Sequence, residues 1–63
     1  MTDIIRAEID ALAARAREYG IVGGDVIAHL NEARLRWLLS ETLEAEHYIA
    51  RATNAMLQEL ARK

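Results

Sequence analysis

The sequence has no cysteine, proline or phenylalanine, and its three glycines all lie between residues 20 and 24. The absence of cysteine excludes disulfides, thiolate metal sites and cysteine nucleophiles. Because helix breakers are confined to one stretch, and Ala, Leu, Glu and Arg are abundant, the composition predicts helices on both sides of that stretch. We expect one small domain, residues 1–63, that needs a metal or a partner chain for stability.

Neither charge sign dominates, since eight Lys and Arg oppose ten Asp and Glu for a formal net charge of −2. The chain is therefore not basic enough to indicate a general nucleic-acid binder. It also lacks an apolar run of membrane-spanning length, and its first residues, MTDIIRAEID, lack the pattern of a signal peptide. We expect a soluble, cytoplasmic protein that does not contact a membrane.

The first helix is predicted over residues 2–19, where apolar residues recur at spacings of four and three. The residues of this seam are Ile5, Ile9, Leu12, Ala16 and Tyr19. Arg6 and Asp10 are expected to form an i,i+4 ion pair on the opposite side. Gly20 is predicted to end the helix in the left-handed conformation, with Ile21 folding back on the last turn. Asp25 is a plausible N-cap for the helix that follows.

The second helix is predicted over residues 25–62, as one rod about 55 Å long. A break at Ser40 is the alternative, because "SETL" could start a new helix. Without Gly or Pro at that point, the continuous helix is favoured. The first helix is only about 27 Å long, so in a hairpin it covers the second only to about Leu43.

An uncovered apolar stripe on the second helix predicts self-association, because such a stripe normally marks an interface. The expected fold is an all-α helical hairpin that assembles as a homodimeric four-helix bundle. The residues predicted at the dimer interface are Leu38, Ala45, Ile49, Ala52, Met56 and Leu60.

The long helix has two further apolar edges beside this stripe. One edge carries Leu30, Trp37, Tyr48 and Ala55, and the other carries Leu35, Leu39, Ala50 and Leu57. The first is the predicted partner-binding edge, since aromatic residues are favoured anchors at protein interfaces. The alternative is that Trp37 and Tyr48 pack beneath the first helix or at the dimer seam and form part of the core. The predicted function is a small regulatory adaptor of the antitoxin, anti-activator or secretion-chaperone type.

A polar outer face supports an alternative function, nucleic-acid binding through Arg36 and Arg51. Small hairpin dimers of the plasmid Rop type contact RNA in this way, although the comparison is architectural and no motif of such a protein is present. Two arginines per chain provide only weak electrostatic attraction to phosphates. A solvated face is the ordinary explanation.

The spacing Glu44-x-x-His47 raises a second alternative, because carboxylate-bridged di-metal bundles use Glu-x-x-His. In a dimer, Glu8 from each first helix would complete four carboxylates and two imidazoles. On an ideal helix, however, His47 lies on the side opposite the apolar seam, so its side chain would face away from a bundle interior. We therefore predict no bound metal or cofactor. With no phosphate loop and no oriented catalytic triad, we also predict no catalysis.

Overall fold

The structure is a computed structural model that describes residues 2–62, with side chains from residue 4. Over this range it consists of α1 (Thr2–Glu18), α2 (Asp25–Leu38) and α3 (Thr42–Ala61), and it has no strand. Each helix packs against the other two, and the α2–α3 contact is the most extensive. The three helices form a body of 35 × 16 × 14 Å. The all-α prediction is confirmed.

The first helix follows its predicted bounds and seam closely. Ile5, Ile9 and Ala16 are buried, and Leu12 is half-buried. Tyr19, the last residue of the predicted seam, lies just beyond α1 and is 44% exposed. The predicted i,i+4 pair is present, with Arg6 Nε 3.8 Å from Asp10 Oδ2. The 4–3 spacing thus identified the face of α1 that the rest of the chain covers.

The prediction of one continuous helix over residues 25–62 is wrong. Between α2 and α3 the chain turns at Ser40, whose φ is 62°. The Ser40 N–H donates to the Trp37 carbonyl at 3.0 Å, and the Glu41 N–H donates to the Arg36 carbonyl at 2.8 Å. These are the two hydrogen bonds of a Schellman motif with serine in the left-handed position.

Packing explains why the helix breaks without a glycine or a proline. The left-handed conformation costs an L-residue about 1–2 kcal/mol. The turn returns α3 onto α2, where Ala45, Ile49, Ala52 and Met56 are all buried. Burying a single side chain of the size of isoleucine or methionine contributes about 1.5–3 kcal/mol. The gain from burial therefore exceeds the local strain.

The connection between α1 and α2 has the predicted glycine stop. Gly20 has a φ of 76°, and the Ile21 N–H donates to the Ala16 carbonyl at 2.8 Å. Ile21 is buried, whereas Val22 is 83% exposed. Asp25 is the first residue of α2, and Gly24 occupies the N-cap position, with no side-chain cap hydrogen bond.

One hydrophobic core lies among the three helices. Its buried members in the described chain are Ile5, Ile9, Ala16, Ile21, Val26, Leu30, Ala33, Ala45, Ile49, Ala52 and Met56. Among residues 2–62, no helix combines the length and the apolar character needed to cross a membrane.

Candidate functional site

The predicted dimer seam is mostly covered within a single chain. Ala45, Ile49, Ala52 and Met56 are core residues, and Leu60 is half-buried against them. Leu38, in contrast, is 66% exposed. Because the turn at Ser40 folds α3 back, the stripe that a continuous helix would have left uncovered packs against this chain's own α1 and α2. Ala45, Ile49, Ala52 and Met56 therefore leave no uncovered apolar stripe for a second chain to bury.

The predicted partner-binding edge also lies largely against the interior. Leu30 is 4% exposed and belongs to the core. Trp37, Tyr48 and Ala55 are half-buried and pack against it. A foreign helix could reach only parts of these side chains. The main role of these side chains is therefore to stabilise the fold, and only their exposed parts are available to a partner.

Apolar side chains are exposed instead around the α2–α3 turn. Leu35, Leu38, Leu39 and Leu43 are 48%, 66%, 57% and 75% exposed, and we refer to them as the leucine end. The first three share one side of α2 because they are spaced i, i+3 and i+4. Leu43 lies in the first turn of α3. Leu35 and Leu39 belong to the second apolar edge noted in the sequence, so the spacing of apolar residues had already indicated part of this surface.

The energetic significance of the leucine end follows from how little of it is covered. Full burial of one leucine contributes about 1.5–3 kcal/mol, so the exposed fractions of the four leave roughly 4–7 kcal/mol unrealised. That is comparable with the whole stability of a small domain, about 5 kcal/mol or more. Contact with another apolar surface would recover much of it.

A second cluster lies on the side of the α2–α3 pair, around Tyr48. The guanidinium carbon of Arg51 lies 5.2 Å from the Tyr48 ring centroid, and that of Arg36 lies 6.0 Å from it. The His29 ring is tilted against Tyr48 with the centroids 6.2 Å apart. The two guanidinium distances are within the range of cation–π attraction. The break in the helix therefore brings His29 and Arg36 of α2 beside Tyr48 and Arg51 of α3.

The charge of Arg36 is already compensated by two carboxylates. Its Nη1 lies 2.7 Å from Glu41 Oε1, and its Nη2 lies 3.3 Å from Glu32 Oε1. The hydrogen bond to Glu41 is the main reason that the pKa of Arg36 is raised above its ordinary value. Arg51 has no ion pair with any residue of the described chain. Of the two arginines predicted to contact nucleic acid, only Arg51 offers uncompensated charge to a phosphate.

The residues of the di-metal alternative do not converge within one chain. Glu44 and His47 line a surface groove together with Tyr48 and Arg51. Glu8 lines a different groove, between α1 and α3, beside Leu12 and Ile49. No group of three His, Asp or Glu side chains in the described part of the chain is placed to hold a metal ion.

Comparison with protein-family models, curated proteins and solved structures finds no match to this chain.

Proposed function

We propose that this chain is a small, non-catalytic protein-interaction module of the regulatory-adaptor type, which contacts its partner through the leucine end. The observation that carries the proposal is the exposure of Leu38 and Leu43, at 66% and 75%, beside the half-exposed Leu35 and Leu39. Soluble proteins rarely expose clustered large apolar side chains unless the surface binds something.

The arrangement on α2 favours a helical mode of recognition. Leu35, Leu38 and Leu39 have the i, i+3, i+4 spacing that anchors one helix in the apolar groove of another protein. Leu43, four residues after Leu39, adds an exposed leucine from the first turn of α3. The contact surface is thus built mainly on regular helix, and its side chains need little ordering when they bind.

The homodimeric four-helix bundle stays a proposal, and the structure changes which residues it would use. The four buried seam residues of α3 are already enclosed by this chain's own helices. Leu38 is the one member of the predicted interface that is largely exposed. Self-association of the folded chain through the predicted interface would therefore use Leu38, at the leucine end.

A capture experiment with matched variants tests the proposed surface. The double variant Leu38→Glu, Leu43→Glu places charge at the two most exposed positions of the leucine end. The control is Val22→Glu, which adds the same charge at an isolated valine that is 83% exposed in the other turn. Circular dichroism should show the same helix content for all three proteins, since none of these residues is buried.

The expected result is a protein partner that is retained by the wild type and by Val22→Glu but lost with the double variant. Amide chemical shifts of residues 35–43 should change when the purified partner is added. Retention of that partner by the double variant would contradict the assignment of the leucine end. Arg51→Ala serves as a second control. Loss of binding with this variant alone would place the binding surface at the cluster around Tyr48 instead of the leucine end.

A further inference from the structure

The turn between α2 and α3 is made of residues that favour helix over the conformation they adopt. Leu39, Ser40 and Glu41 include neither glycine nor proline. Ser40 is the one non-glycine residue with positive φ in the described chain. Short connections that hold such strain favour exchange of an element between copies, because opening them relieves the strain.

Opening this turn would convert α2 and α3 into one continuous helix of about 55 Å. The buried face of α3, which includes Ile49 and Met56, would then leave its own α1 and α2. The surface that fits this face best is the α1–α2 pair of a second copy, since it is chemically identical to the one that α3 left. We infer that two copies of this chain exchange α3 through the turn at Ser40 and form a dimer with two long helices.

The interface would include most of the helix packing of the core, because every contact of α3 with α1 and α2 becomes a contact between chains, while α1 and α2 of one chain stay together. An interface of this kind resembles a domain interior rather than a surface patch.

Two substitutions at Ser40 test the inference in opposite directions. Ser40→Gly stabilises the left-handed turn and weakens a continuous helix, whereas Ser40→Ala does the reverse. Because each dimer contains two such positions, the dissociation constant of Ser40→Ala should be lower than that of Ser40→Gly by about a hundredfold or more. Light scattering from micromolar to millimolar protein should place the wild type between them. Equal constants, the reverse order, or monomer throughout for all three would overturn the inference.

Isotope-filtered NMR separates exchange from simple side-by-side association. Labelled and unlabelled Ser40→Ala chains are denatured, mixed and refolded together. In an exchanged dimer, the Tyr48 ring of one chain contacts the His29 ring of the other, a pair whose centroids lie 6.2 Å apart in the folded chain. Filtered NOEs between these rings support exchange, and their absence from a dimeric sample overturns it. Neither readout involves a foreign protein, so the result is independent of the capture experiment.

Discussion

The two turns of this molecule use the same backbone hydrogen bonds but depend on different side chains. In the turn after α1, Gly20 takes the left-handed conformation, and the residue after it, Ile21, is buried. In the turn after α2, Ser40 takes that conformation, and the residue after it, Glu41, is exposed.

The side chains of the two residues joined by the longer-range hydrogen bond also differ between the turns, apolar in the first and charged in the second. Ile21 donates its N–H to Ala16, and both side chains belong to the core. The corresponding pair after α2 is Arg36 and Glu41, joined by a 2.7 Å ion pair at the surface. The first turn is therefore stabilised locally, by glycine and by apolar burial. The second depends on the packing of the helices that it joins, because exposed ion pairs contribute little.

Truncating the buried side chain of the first turn should have the largest effect. Ile21→Ala is expected to lower the free energy of unfolding by about 2–4 kcal/mol, because it removes buried methylene and methyl groups from a packed core. Val22→Ala is the control, since Val22 is adjacent and 83% exposed, and it should have almost no effect. Urea denaturation followed by circular dichroism measures both. Similar losses in the two variants would show that Ile21 does not anchor this turn.

Adding a methyl group at the left-handed glycine should have a smaller effect. Gly20→Ala is expected to lower the free energy of unfolding by about 1–2 kcal/mol, because L-residues are disfavoured at positive φ. Gly23→Ala is the control. At both positions the space that a Cβ would occupy has no other heavy atom within 4 Å, but only Gly20 has positive φ. Equal losses of unfolding free energy in the two variants would contradict the positive φ of Gly20 as the cause of the effect.

Placing glycine in the second turn should have the smallest effect and the opposite sign. Ser40→Gly is expected to raise the free energy of unfolding by about 1 kcal/mol, because glycine adopts positive φ without steric cost. Denaturation is measured at low protein concentration, so that self-association does not contribute to the measured stability. Ala50→Gly, at an exposed position inside α3, is the control and should instead lose about 1 kcal/mol. A loss with Ser40→Gly would mean that Ser40 contributes through its side chain.

Much of the fold could be predicted from periodicity and glycine placement. The 4–3 spacing in α1 identified Ile5, Ile9 and Ala16, and the same spacing identified Ala45, Ile49, Ala52 and Met56 as an apolar seam. These predictions hold because one helix buries one face, whichever neighbour covers it. Gly20 marked the first turn because glycine is the residue that adopts positive φ most readily.

The candidate site was harder to predict, because it depends on where the second turn lies. Trp37 and Tyr48 were candidate partner contacts, with packing in the core as the alternative, and both pack against the core once α3 folds back. Leu38 was predicted to lie in the same interface as Ala45 and Ile49. Because the chain turns at Ser40, Leu38 is exposed whereas the other two are buried. A residue's exposure depends on which helices lie beside it, and the spacing of apolar residues along the chain does not specify those neighbours.

Amino-acid order alone thus accounts for the helical class, the apolar face of each helix and the glycine turn, because these depend on propensity and on contacts between residues close in the chain. It left the break at Ser40 as an alternative to a continuous helix, and it did not account for the exposure of the leucine end. At Ser40 a modest local preference for helix opposes the burial of a whole helix face, and the larger free energy prevails. That burial comes from contacts between residues far apart in the chain, so it arises only when the three helices are packed together.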